Sequence, residues 1–192
     1  MEQKNRKGML VIFAAHSGAG KTTIINQLLS NNESWEFSVS STTREKRNYE
    51  KEGKDYNFIS TEEFQKLLNS KKLVEYENVH GNFYGTTKKQ IETALKNGKI
   101  LILDLDVLGA INVKNQFQNN SITIFIDVPN EDILIKRLQN RATETEKTIK
   151  KRLSRIVLEK KEKEHFDFIV INDKLSSCVR KIEKIIKTKI LK

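Results

Sequence analysis

The chain has 192 residues, 37% of them hydrophobic and 31% charged, with a formal net charge of +10. That length suits one domain burying roughly 70% of its unfolded surface, and the composition excludes a disordered chain. The basic excess fits a polyanionic ligand, but the lysines are scattered and no helix-turn-helix, RRM or zinc-finger pattern accompanies them, which disfavours nucleic acid as the primary target. The single cysteine, Cys178, can form neither an internal disulfide nor a structural zinc site, and its helical surroundings predict a buried or half-buried thiol. The polar start MEQKNRKG and the short apolar run behind it do not make a signal or membrane-spanning segment, so a cytoplasmic location with no membrane partner is expected.

In chain order, MLVIFAA (9–15) reads as a buried parallel strand. A glycine-rich turn follows, then KTTIINQLLS, an amphipathic helix with Ile25, Leu28 and Leu29 on one face. FSVS reads as a second short strand. From about residue 41 the chain becomes charged and turn-rich. NFIS and LVEYENV are predicted strands, separated by STEEFQKLL, which opens with a capping box of Ser60 with Glu63 and a staple of Ile59 with Phe64. GNFYGTT reads as a tight, glycine-bounded segment, and 41–88 as a small inserted subdomain. KILILDLDV (99–107) is a buried strand ending in two acids, and ITIFIDVP (122–129) is another. Asn130 caps a helix with Glu131 and Asp132 in its first turn. RATETEKTIKKRLSRIV turns helical, with Ile149, Leu153, Ile156 and Val157 sharing a face. FDFIVIN is a last strand, and the final helix carries Leu175, Val179, Ile182, Ile186 and Ile190 on one stripe. This alternation predicts an α/β fold around a parallel sheet.

AAHSGAGKTT (14–23) lies between the first strand and the first helix and nearly fits GxxxxGK[ST], the loop whose backbone amides cradle phosphates. Ser17, Gly18, Ala19, Gly20, Lys21, Thr22 and Thr23 are its candidate triphosphate-binding residues. Lys21 would place its ammonium on the outer phosphates, and Thr22 offers a hydroxyl to Mg²⁺. The dinucleotide pattern GxGxxG fails, because Thr23 stands at its third glycine. Ala15 stands where the first glycine of the phosphate motif belongs, so either that position has negative φ or the loop is reshaped. His16 is expected to face solvent.

The blocks SVSSTTREKR, GKDYNF, EYENVHGNFYGTT, ILDLD and NRATETEKTIKKRLSR resemble those of guanylate kinases, in order, from about Met9 to Asp173. The resemblance implies phosphoryl transfer from ATP, with Mg²⁺, to GMP or dGMP, giving ADP and GDP. It implies a P-loop parallel-sheet core flanked by helices (1–40, 89–136 and 156–192), an inserted small α+β GMP-binding subdomain (41–88) and a helical lid (137–155). The protein would be a monomer or weak homodimer. Glu75 falls at the guanine-reading position. A carboxylate there can accept from both N1–H and N2–H₂ of guanine, whereas the N1 acceptor of adenine would be repelled. Ser40 and Thr86 match its hydroxyl partners. Arg44, Arg47, Tyr56 and Tyr84 match positions that hold the GMP phosphate. Asp104 and Asp106 end a core strand, where acids orient Mg²⁺ waters or the acceptor; Thr22 and Asp104 would serve the metal. Arg137, Arg141 and Arg152 match lid arginines, Asn172 and Asp173 lie near the adenine, and Ala142 replaces a family glycine. Lys21, Arg47, Arg141 and Arg152 would carry the catalytic charge. No general base is needed, because the acceptor phosphate is already ionised at neutral pH. A non-catalytic guanylate-kinase-like interaction domain, a P-loop kinase for another acceptor and a nucleic-acid binder remain the alternatives.

Overall fold

A computed structural model describes residues 8–79, 81–130, 132–134, 156 and 159–190. The first apolar run forms β1 (Met9–Ala15). Its side chains alternate between two hydrophobic clusters, Val11 and Phe13 in one and Leu10, Ile12 and Ala14 in the other, all fully buried. Burial on both faces is what a central parallel strand requires. β1 pairs in parallel with β7 (Ile100–Asp104) and β8 (Ser121–Asp127); β2 (Trp35–Phe37) and β9 (Phe168–Ile171) complete a five-stranded sheet of order β2-β7-β1-β8-β9.

Helices cover both faces. Ile24, Ile25 and Leu28 of α1 (Lys21–Asn31) join the first cluster. Ile91 and Ala94 of α3 (Lys88–Lys96) and Val107, Ala110 and Val113 of α4 (Val107–Gln116) join the second. Val179, Ile182 and Ile186 of α5 (Leu175–Ile190), together with Cys178, pack on the α1 side. Burial pushes the Cys178 thiol up to about 11. No described helix is long and apolar enough to cross a membrane.

A second sheet lies between β2 and α3 in the chain. Its order is β4 (Asn57–Phe58), β3 (Ser41–Thr42), β6 (Asn82–Thr87), β5 (Leu73–Val79), with only the β3–β4 pair parallel. Phe64 of α2 (Thr61–Asn69) stacks on Phe83 with ring centroids 5.3 Å apart, and the Ser60–Glu63 capping box is formed in both directions.

Several elements differ from expectation. FSVS is not a strand: β2 ends at Phe37, and the chain leaves through Ser38, whose N–H donates to the Ile102 carbonyl. The tight, glycine-bounded segment GNFYGTT holds β6 from Asn82 onward, paired on both sides; Gly85 within it lets β5 and α2 close in, since a Cβ there would lie 3.1 Å from the Glu75 carbonyl and from the Phe64 ring. The strand at DLDV ends at Asp104, and Asp106 instead caps α4 by accepting from Gly109 N–H at 2.7 Å. Asn130 does cap the helical residues 132–134, accepting from Ile133 N–H at 3.1 Å. Glu131, the segment 137–155 with Arg137, Arg141, Ala142 and Arg152, and the face residues Ile149, Leu153 and Val157 lie outside the described residues; Ile156 is buried.

Ile182 is fully buried where α5 meets the sheet. Ile182→Ala removes that packing and should cost about 2–5 kcal/mol, read as a lowered urea midpoint at an unchanged slope.

Candidate active site

The carboxyl ends of the core strands meet at one edge, the place where open α/β sheets bind ligands. β1 runs into the loop 16–20, β7 ends at Asp104, β8 ends at Asp127, and β9 leads into Asn172. Ala15 is the last residue of β1, opposite Ile126, with ordinary negative-φ strand backbone. The glycine missing from the motif is therefore not required, because the left-handed residues are Gly18 (φ +89°) and Gly20 (φ +93°).

The loop is held from two sides. The Ala19 N–H donates to the His16 carbonyl at 3.0 Å, closing a turn. The Ala19 carbonyl accepts from the Asn172 side chain at 2.7 Å, and Asn172 N–H donates to the Asp127 carbonyl. A Cβ on Gly20 would lie 2.7 Å from Asn172 Nδ2, so glycine is demanded by contact as well as by φ. Ser17 is half-buried, and Thr22 and Thr23 are exposed on the first turn of α1, whose amide dipoles favour an anion here. Lys21 forms an ion pair with Asp104 and donates to the Leu105 carbonyl at 2.8 Å.

His16 does not face solvent. It is 3% exposed, with its ring edge-on to Phe125 and Nδ1 2.7 Å from a Glu159 carboxylate oxygen. The expectation failed because a loop residue was taken to point outward, whereas this one points back beneath the loop.

The inserted sheet brings a second set together. Thr86 Oγ1 donates to Glu75 Oε1 at 2.7 Å across the β5–β6 pair. Burial is the main cause that pushes the Glu75 carboxyl up to about 7, with the Asp106 carboxylate adding to it and the Thr86 hydrogen bond opposing. Ser40 precedes β3, its carbonyl accepting from Asn57 N–H; among the described residues no hydrogen bond links it to Glu75. Arg44 donates to Glu50 at 2.6 Å, to the Tyr84 hydroxyl at 3.2 Å and to the Glu45 carbonyl at 2.7 Å, with its guanidinium 5.6 Å from the Tyr56 ring centroid. The Glu50 hydrogen bond raises the Arg44 pKa further and lowers that of Glu50. Burial raises the Tyr56 phenol. Arg44, Tyr56 and Tyr84 thus form one cluster. The Arg47 guanidinium does not join it; that side chain is exposed and donates to the Tyr49 hydroxyl at 2.8 Å. Asp173 is exposed just beyond Asn172.

Sequence reasoning passed over Glu50. It is 8% exposed and uses both oxygens, one on Arg44 and the other on the Arg47 backbone N–H at 2.9 Å. Its signal was its spacing, an acid three residues beyond Arg47 in TTREKRNYE.

A central strand that opens through left-handed glycines onto a helix start, within an all-parallel sheet, defines an α/β protein of the P-loop class. The family model described as guanylate kinase matches residues 7–189. The chain is 41% identical over 178 residues to a guanylate kinase of Chlorobaculum tepidum, covering 93% of this chain and 91% of the relative. It is 38% identical over 182 residues to one of Thermotoga maritima, covering 95% and 87%. The crystal structure of guanylate kinase from Anaplasma phagocytophilum superposes with a TM-score of 0.78 at 29% identity, over 97% of this chain and 88% of that one. The chain belongs to the guanylate kinase family.

Glu50 anchors the arginine loop through both carboxylate oxygens, one on the Arg44 guanidinium and one on the Arg47 N–H. Glu50→Ala should speed hydrogen exchange of the Arg47 amide roughly ten- to a hundredfold, while amides of β1 keep their protection.

Proposed function

We propose that this chain transfers the terminal phosphoryl group of ATP to GMP, giving ADP and GDP. The observation that carries this reading is Glu75. Its half-buried carboxylate is held at Oε1 by Thr86, in the same molecule as a phosphate loop whose Lys21 reaches the end of the neighbouring strand. A carboxylate so placed accepts from two adjacent donors, and guanine presents two on its Watson–Crick edge. The similar proteins of Chlorobaculum tepidum and Thermotoga maritima are guanylate kinases, which supports this reading.

On this reading the sheet β4-β3-β6-β5 with α2 is the GMP-binding insert, the parallel sheet is the core and 137–155 is the lid. Arg44, Tyr56 and Tyr84 take the acceptor phosphate, a fork and two neutral donors in one cluster. Glu50 holds the Arg44 fork in position before the phosphate arrives. Arg47 turns from Tyr49 to the same phosphate. The loop amides and Lys21 take the donor triphosphate, and Asn172 keeps the loop in shape.

Thr22 and Asp104 supply the oxygen donors that Mg²⁺ prefers, and Asp104 reaches the ammonium of the residue next to Thr22. These two would hold the ion, which supplies neutralisation of phosphate charge when bound. Lys21 and Asp104 occupy each other until then: a triphosphate draws the ammonium away and frees the carboxylate. The chain performs no proton abstraction. Its residues align two ionised phosphates and offset their charge. The lone buried thiol of Cys178 suits a reducing cytoplasm.

Parallel assays with GMP, AMP, CMP and UMP should give clear turnover with GMP alone; equal or faster turnover of another acceptor would overturn the assignment. Lys21→Ala should remain folded by circular dichroism and lose most of its activity, because its charge acts on the phosphates rather than in packing.

Glu75→Gln places a donor NH₂ against guanine donors and should lower kcat/KM for GMP roughly ten- to several-hundredfold, with ATP affinity nearly unchanged. The wild-type carboxyl ionises at about 7, and only its ionised form accepts both donors. GMP affinity should therefore rise about tenfold from pH 6 to pH 8 by this group alone. The step belonging to Glu75 should be missing from the Gln variant, which retains only the ionisation of GMP itself; calorimetric titration at each pH reads both.

A further inference from the structure

The phosphate loop has an anchor that the proposed reaction does not use. His16 stands at the base of the loop and is 3% exposed. Its Nδ1 is 2.7 Å from Glu159 Oε2. A carboxylate can only accept, so Nδ1 carries the proton of that hydrogen bond. The ring lies edge-on to Phe125 of β8, centroids 4.9 Å apart. Nε2 lies 3.7 Å from Asp127 Oδ1, and the other Asp127 oxygen accepts from Lys163 at 2.8 Å. The imidazole is thus enclosed by three elements: the loop that bears it, the end of β8, and the helical stretch 159–162 with Lys163 behind it.

Glu159 is also nearly buried, at 9% exposure. A buried carboxylate and a buried imidazole each need the other, since losing either leaves an unmatched polar group. The contact joins residues 143 apart in sequence. His16 is also the residue whose carbonyl receives the Ala19 N–H, so its held ring limits where the backbone of that turn can sit. Amides that bind phosphate tolerate little displacement, because affinity depends on several aligned donors at once.

We propose that His16 is a positioning residue: through Glu159 it pins the phosphate loop to the helical stretch that follows 137–155, and triphosphate affinity depends on that pin. This rests on the reading of 16–22 as the donor-phosphate loop. It adds a cross-chain strut that the loop motif does not contain.

The test uses the full chain and equilibrium binding of ATP by calorimetry, so that it does not depend on turnover of any acceptor. His16→Leu and Glu159→Leu should each weaken ATP binding about tenfold, and the double variant should be no weaker than either single one, as expected for partners in a single interaction. His16→Asn, whose side-chain NH₂ replaces Nδ1–H, should restore affinity to within about threefold of wild type. GMP binding should stay within about twofold throughout. Should either Leu variant fail to fold, His16→Asn and Glu159→Gln, which keep a donor and an acceptor, are compared with His16→Ala and Glu159→Ala. Weakening confined to the alanine variants supports the pin. Additive losses in the double variant, equal weakening of ATP and GMP, or a lowered melting temperature with ATP affinity unchanged would each overturn it. If wild-type protein binds no ATP at all, it is the loop assignment that fails, and that result is distinct from these.

Discussion

The hydrogen bond from the Asn172 side chain to the Ala19 carbonyl is the contact on which the nucleotide edge depends. A phosphate-binding loop turns its amide N–H groups toward the ligand, which leaves carbonyls facing the protein, and each of these needs a donor. Asn172 supplies one at 6% exposure, and its own backbone is tied to the end of β8. The requirement spreads outward. Gly20 must lack a side chain to let the amide in, β9 must end where it does, and α5 must press β9 into the sheet.

Among the described residues, the charged groups of the candidate site follow one rule: each cation that would meet a phosphate already has an oxygen partner. Lys21 has Asp104 and Leu105; Arg44 has Glu50, Tyr84 and Glu45. Cations gathered at one edge would otherwise repel, and the cost grows as water is excluded. The carboxylates hold them in place and keep their side chains from scattering. On the proposed reading a phosphate would replace a carboxylate at a group already oriented, which would reduce the ordering cost of binding.

The core sheet was legible because its strands are buried on both faces and read as continuous apolar runs, as in ILILD and ITIFID. The phosphate loop was legible because its chemistry lies in backbone and glycine spacing. The second sheet was less so. Its β3 and β4 have two residues each, too few for any period, and β6 lies in a short segment bounded by two glycines, which gave no strand pattern. Glu75 stood out only through the blocks around it, since an isolated strand carboxylate carries no signal; its raised pKa comes from burial that the folded chain creates. His16 and Glu50 are polar residues whose partners are fixed by the fold, so local composition pointed to solvent for the first and left only the spacing from Arg47 as a signal for the second.

The span of the Asn172 contact has a consequence for how the molecule is made. The two residues it joins are 153 apart, and β1 finds its neighbours only at residues 100 and 121. Contacts of such separation are slow to form, because the intervening chain must first be closed into a loop. A chain still emerging from the ribosome therefore carries a finished loop sequence that has neither its clamp nor its flanking strands. Until residues 100–126 have been added, β1 is an apolar segment in need of a partner, and that interval is when the chain is most exposed to aggregation; the loop itself waits for its clamp until residue 172.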